Sequence, residues 1–247
     1  MPEPEQYGEP TGHMKEYGKQ SKVLAAIDCI IFGFDGQHLK ILLIKRGFEP
    51  AMNQWSLMGG FIDQKESLDE AANRILKQLT GLEGIYLEQF FAFGDPERDP
   101  IDRTISVAYF ALIDIHKYEQ QLSHEYQAEW FNINDVPDLI FDHNQMVKMA
   151  REKLKYKAGL HPILFELLPS RFTIPQLQIL YEEMFSASLD KRNFNRKILS
   201  TGLLVKQKEK DKNNSKKGAY YFKLDKKKYE KQSGTFLNII PNAHRLW

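Results

Sequence analysis

The 247-residue sequence predicts an α+β protein in two unlike parts, a mixed strand-and-helix domain followed by a smaller, basic domain that opens with helices. Three observations carry that expectation. Aliphatic and β-branched runs of strand length fill the chain from about residue 22 to Asp114, whereas helical spacing of apolar residues returns after His161. A capped amphipathic stretch interrupts the strands once, between Ser67 and Gly81. Charge divides with the pattern: from Ser170 onward 17 Lys and Arg stand against 7 Asp and Glu, while the residues before it carry 17 against 26. The net charge of +1 is therefore the sum of an acidic and a basic half, and the local field decides whether phosphate is attracted.

Composition closes several other routes. With 42% hydrophobic and 12% aromatic residues the chain can build a sizeable core, which excludes wholesale disorder. Cys29 is the single cysteine, so no intrachain disulfide forms, and its place in VLAAIDCIIFGF reads as a buried strand thiol in a reducing, cytoplasmic setting. No run of 18 apolar residues spans a membrane, and the start MPEPEQYGEPTGH lacks the basic and apolar regions of a signal peptide. Residues 1–20 read as a flexible tail.

Taken in order, VLAAIDCIIFGF turns at Asp35-Gly36 into LKILLIKR, a hairpin or two adjacent strands. Ser67 with Glu70 forms a capping box, and the helix it opens runs to Gly81 with Leu68, Ala71, Ala72, Ile75 and Leu79 on one face. Further strands are expected over Tyr86 to Phe93 and Thr104 to Asp114, then a helix over Asn144 to Lys155. Tyr156 to Leu160 with His161-Pro162 marks the boundary, which places the first domain at 21–158 and the second at 159–230. The role of a tail at 231–247 is not readable.

The stretch from Gly60 to Leu82 carries the chemistry. Gly60, Glu66, Arg74, Leu76, Gly81 and Leu82 stand at the spacing of the Nudix box, and WSLMGG resembles the strand that leads into it. The chain thus resembles the Nudix family, which implies an α/β/α sandwich. Active members hold a divalent cation with glutamates at three helix positions, occupied here by Ile75, Gln78 and Leu79. Two aliphatics and an amide cannot hold a hard cation, so no metal, no cofactor and no pyrophosphatase are expected at this site. Glu66 and Arg74 then read as a structural pair. A rival reading, a divergent hydrolase of nucleotide sugars, needs another metal site, such as Glu66, Asp69 and Glu70.

A pocket can persist without catalysis. Asp28, Arg46, Gln54, Trp55, Asp95, Asp99, Arg103 and Asp142 could offer carboxylates and guanidiniums around an aromatic, which suits a polyhydroxylated ligand such as a sugar. Turn formation and surface ion pairing account for any single one of them equally well.

In the basic half, ILFELL reads as a small apolar helix, and Thr173-Ile-Pro-Gln176 as a capped start for a second one, with Leu177, Leu180, Tyr181 and Met184 inward. Asp190 caps a third, with Phe194, Ile198 and Leu199 inward and Lys191, Arg192, Asn193, Asn195, Arg196 and Lys197 outward. Lys and Arg suit phosphate and guanine, and Asn suits adenine. Leu203 to Val205, a loop over Lys206 to Gly218 that includes Lys216 and Lys217, and Ala219 to Phe222 complete a winged helix-turn-helix. FTIPQLQILYEEMF followed by DKRNFNRKIL resembles the Nudix-related transcriptional regulators, over roughly residues 20 to 230. The resemblance implies a homodimeric regulator whose first domain binds a small effector and whose second binds operator DNA. Within the family the chain is most similar to L-arabinose-responsive repressors of Bacteroidetes, with relatives that sense ADP-ribose or other sugars. L-arabinose is the expected effector, and a repressor of its utilisation genes the expected role.

Overall fold

The computed structural model describes residues 20–122, 127–212 and 218–231. Apart from residues 20 and 231, the tails expected at 1–20 and 231–247 lie outside the described residues, as do Lys216 and Lys217.

Strands β1 (Leu24–Phe34) and β2 (Leu39–Lys45) form the expected antiparallel hairpin, with Ile31 opposite Leu42. Then come β3 (Trp55–Ser56), β4 (Met58–Phe61), helix α1 (Leu68–Thr80), β5 (Glu88–Phe93), β6 (Thr104–Asp114), a short α2 (Ile115–Tyr118), β7 (Glu129–Asn132) and α3 (His143–Leu160). Seven strands make one mixed sheet of central order β3-β2-β1-β6-β5, with β4 on β1 and β7 on β2. β1 and β6 run parallel along their whole length, from Leu24 opposite Thr104 to Phe34 opposite Asp114.

Burial on both faces from Ala26 onward explains why β1 is apolar but for Asp28 rather than alternating. Ile27, Cys29 and Ile31 pack with Ala71, Ala72, Ile75 and Leu76 of α1, while Ile30, Phe32 and Phe34 pack with Met146, Val147, Ala150 and Leu154 of α3. This is the expected α/β/α sandwich. The Ser67 capping box is formed in full, and α1 ends on Gly81 in the left-handed region, φ 78°. Leu68, expected inward, is exposed at the first position of α1, and the buried face begins at Ala71.

The second half contains β8 (Phe172–Thr173), α4 (Ile174–Phe185), α5 (Lys191–Ser200), β9 (Leu204–Asp211), β10 (Ala219–Leu224) and α6 (Lys226–Lys231), with the strands ordered β8-β10-β9. Thr173 and Gln176 complete the capping box of α4, and Asp190 accepts from Asn193 N at 2.8 Å to cap α5. Three expectations change. The ILFELL helix is a five-residue 3₁₀ turn, Ile163–Leu167, held short between Pro162 and Pro169. Lys206 to Asp211, expected as loop, belongs to β9, because pairing with β10 outweighs the weak strand preference of lysine. Leu199 is exposed: Phe194 and Ile198, four apart, already fill the inward stripe, and the next residue turns about 100° away.

Tyr156 to Leu160, read as a boundary, continues α3, with Ala158 wholly buried. Leu177, Leu180, Tyr181 and Met184 of α4, Phe194 and Ile198 of α5, and Phe222 of β10 join the cluster that holds Phe32, Leu39 and α3. The winged helix and the sandwich therefore share one core.

Candidate functional site

Asp28 is a carboxylate within an apolar strand, on the same face as Ile30 and Phe32, and is buried. Three groups from distant elements surround it. Ser106 of β6 donates to it at 2.6 Å, Arg98 Nη2 lies 3.5 Å away, and His143 Nε2 lies 3.5 Å away. The Arg98 guanidinium also donates twice to Asp142, at 2.9 and 2.8 Å, and its side chain is only 4% exposed. Burial alone would lower the Arg98 pKa, but the Asp142 hydrogen bonds and the charges of Asp28, Asp142 and Asp99 overcome this and raise it.

His143 opens α3. Its Nδ1 accepts from Leu57 N at 3.2 Å, which leaves the proton on Nε2, facing Asp28. Burial lowers its pKa against the opposing pull of Asp28 and Asp142. The unfolded chain therefore takes up a proton first as pH falls, so this residue's contribution is complete above about pH 6.5 and declines below it. His143→Gln, which can keep both hydrogen bonds without titrating, should flatten the stability profile between about pH 7 and 5. Denaturant melts at each pH measure this; identical slopes for both proteins would remove His143 as the cause.

Close approach completes the cluster. A Cβ on Gly59 would lie 2.3 Å from Asp28 Oδ1, so the strand β4 can pass beside the carboxylate only with glycine here. Gly59→Ala should cost about 1–3 kcal/mol through displacement of Asp28, read as a lowered denaturation midpoint; an unchanged midpoint would show that the cluster yields freely.

A cleft of about 590 Å³ opens beside the cluster, lined by Phe91, Gly94, Asp95, Arg98, Phe141 and Asp142 among others. Phe141 holds φ 52°, a strained conformation for a bulky side chain, at the cleft wall. The Arg46 guanidinium stacks 3.9 Å from the Phe48 ring centre and 5.4 Å from that of Phe141.

Of the pocket residues read from sequence, Asp28, Arg46, Asp99 and Asp142 gather around the cluster and its small adjoining hollow, and Asp95 lines the larger cleft. Arg103 instead braces the loop, donating to the carbonyls of Gly94 and Asp95 at 2.9 and 3.2 Å. Gln54 and Trp55 stand apart, a correction: Gln54 is an exposed turn residue, and Trp55 packs edge-on to Phe131 at 4.7 Å against the main core. Sequence reading passed over Arg98, Ser106, Phe141 and His143.

The basic face lies on the winged helix. Lys191, Arg192 and Arg196 of α5 are exposed, and Asn193, Asn195 and Lys197 are half-buried beside them. Arg196 donates to Asn193 Oδ1 at 2.8 Å, which pre-positions both groups. On the wing, Lys206 and Lys210 lie over the Tyr220 ring at 3.7 and 4.5 Å, a further cationic strip that the loop reading of this segment hid.

Comparison with known proteins meets this geometry directly. The NUDIX domain model matches residues 22–152, more than half of the chain, and the NrtR DNA-binding winged helix domain model matches residues 164–224. The chain belongs to the Nudix family. It joins a Nudix domain to the NrtR winged helix, and is 34% identical over 211 residues to the ADPR responsive transcriptional repressor NtrR of Acinetobacter baylyi, covering 84% of both. It is 31% identical to the ADP-ribose pyrophosphatase of Methanocaldococcus jannaschii, over 59% of this chain and 82% of that one. The crystal structure of Shewanella oneidensis NrtR with a 27mer DNA superposes with a TM-score of 0.74 at 29% identity, covering 86% of this chain and 97% of that one. Nothing in these comparisons supports the expectation of L-arabinose or of the Bacteroidetes branch; both sequence relatives are named for ADP-ribose.

Nudix enzymes imply a divalent cation, and the residues of this Nudix box do not fit one. Ile75 is buried against Gly60, Leu79 packs on the α1 core, and Gln78 accepts from Arg74 at 3.3 Å. The carboxylates of the rival site are committed elsewhere. Glu66 pairs with Arg74 and accepts from Asp63 N, Asp69 accepts from Tyr109 at 2.7 Å, and Glu70 caps Ser67. The Arg74 hydrogen bonds hold the Glu66 carboxyl down to about 2, as befits a structural tie between loop and helix. Among the described residues no group of three or more His, Cys, Asp and Glu is placed to hold a metal ion, and no helix is long and apolar enough to cross a membrane.

Proposed function

We propose that this protein is an ADP-ribose-responsive transcriptional repressor, without hydrolase activity, in which ADP-ribose enters the cleft beside Arg98 and releases operator DNA from the winged helix. The observation that carries the reading is the union, on one core, of the NrtR DNA-binding domain and a Nudix domain whose three metal positions are Ile75, Gln78 and Leu79. The cleft chemistry supports the ligand. Phe91 and Phe141 offer faces for a purine, Asp95 and Glu97 offer acceptors for ribose hydroxyls, and Arg46 and Arg98 offer positive charge for a diphosphate. A pentose alone would use only a part of that set.

In a homodimer two copies of α5 would address successive major grooves, about 34 Å apart. An effector that favours another dimer geometry lowers DNA affinity by its own differential affinity for the two states. The direct test is calorimetric titration with ADP-ribose and with L-arabinose, together with gel shifts of the DNA upstream of the gene. Saturable binding of ADP-ribose alone, release of DNA by it, and no breakdown of it with Mg²⁺ or Mn²⁺ are expected. Release by L-arabinose only, or magnesium-dependent turnover, would overturn the reading.

A further inference from the structure

We infer that α3 transmits the state of the effector cleft to the DNA-reading domain, and that Arg151 is the positioning residue at its far end. The inference deepens the effector-release reading above and rests on it for its biological meaning. At one end of the helix, Asp142 and His143 tie its start to Arg98, which lines the cleft, and to Leu57 N. Nine residues on, about 13 Å along the axis, Arg151 reaches the other domain. Its Nη2 donates to Ser186 Oγ at 3.2 Å and to the Glu183 carbonyl at 3.5 Å, with Asn134 Oδ1 of its own domain at 3.1 Å.

Those contacts fall on a sensitive place. Ser186 ends α4 in the left-handed region, φ 50°, and the turn it begins leads in four residues to Asp190, the cap of α5. The position of the recognition helix is thus set from a turn that Arg151 grips.

Two further observations leave room for a second arrangement of this grip. The Arg151 Nε–H is buried without a hydrogen-bond partner, an unspent donor that a rotated guanidinium could satisfy. Beside it a crevice of about 360 Å³, lined by Val136, Asn144, Val147, Lys148 and Arg151 among others, leaves room along the helix. An anionic group that draws Arg98 off Asp142 would free the start of α3. The hydrogen-bonded helix moves as a unit, Arg151 exchanges partners, and the turn before α5 shifts.

A double-mutant cycle tests this without any effector. DNA affinity is measured by gel shift on the fragment upstream of the gene for the parent, Asp142→Asn, Arg151→Met and the double variant, with thermal melts alongside. Sites this far apart that do not communicate should add to within about twofold. The expected result is that Asp142→Asn changes DNA affinity several-fold in the parent and not in the Arg151→Met background, a coupling that a purely local packing role would not produce. Additive effects, or no effect of Asp142→Asn, would overturn the inference. Where Arg151→Met fails to fold, Arg151→Lys keeps stem and charge while losing the fan of donors. ADP-ribose titrations of the parent separate the two readings: a coupled cycle with no ADP-ribose response sinks the effector alone, and a response with an additive cycle sinks the helix route alone.

Discussion

Arg98→Met should destabilise the protein by about 3–5 kcal/mol, because it removes the cation held between Asp28 and Asp142, leaving the buried Asp28 with only Ser106 and His143 beside it and the partly buried Asp142 without its two hydrogen bonds. For a chain of this size that is a fall in melting temperature of roughly 6–20 °C. The loss should be asymmetric. Adding Asp28→Asn and Asp142→Asn to Arg98→Met restores most of it, since the cost lies in the stranded charges and not in the missing arginine contacts. Calorimetry on the single and triple variants decides the point. A loss below 1 kcal/mol for Arg98→Met would mean that water reaches the cluster and screens it. On the reading proposed above, ADP-ribose binding should fall in both variants, since Arg98 lines the cleft.

The second large effect concerns DNA. Arg192→Ala and Arg196→Ala should each cost about 1–3 kcal/mol of operator affinity, roughly 5- to 150-fold, with specificity relaxed at the base each one reads. Their side chains leave α5 on its exposed face, and neither packs in the core, so melting temperature and effector binding should stay within error of the parent. Lys206→Ala and Lys210→Ala on the wing should behave differently, weakening all DNA sequences alike and reducing the salt slope by about one each. Fluorescence anisotropy against operator and scrambled duplexes at several salt concentrations distinguishes the two patterns. Equal losses on both duplexes for Arg192→Ala would assign that residue to phosphate.

What could be read from the sequence divides along contact range. The Ser67 and Thr173 capping boxes, the Gly81 stop and the Asp190 cap lie three or four residues from their partners, and each is found where its spacing places it. The Nudix frame was legible for the same reason, since Gly60, Glu66, Arg74, Gly81 and Leu82 stand at fixed local spacings within the matched domain. The buried cluster was not. Arg98 meets Asp142 across 44 residues and Asp28 across 70, and in GDPERDP an arginine between acidic residues reads as a solvated turn. Trp55 misled in the opposite sense: an aromatic beside the box suggests a stacking platform, yet its ring fills a gap against Phe131. The effector was the least legible of all, because no local spacing encodes the chemistry of a cleft assembled from β5, the loop after it and the start of α3.

The parallel pairing of β1 with β6 has a consequence for synthesis. Leu24 waits for Thr104, so the central strand leaves the ribosome about 80 residues before its neighbour, an interval of about 4–16 s at ordinary elongation rates. During that time the hairpin with β2 can close, but the other edge of LAAIDCIIFGF stays open as an unpaired, nearly continuous apolar ribbon. Asp28 is the sole charge along it. Its charge interrupts the run, the placement that lowers the tendency of an open apolar edge to pair with other chains.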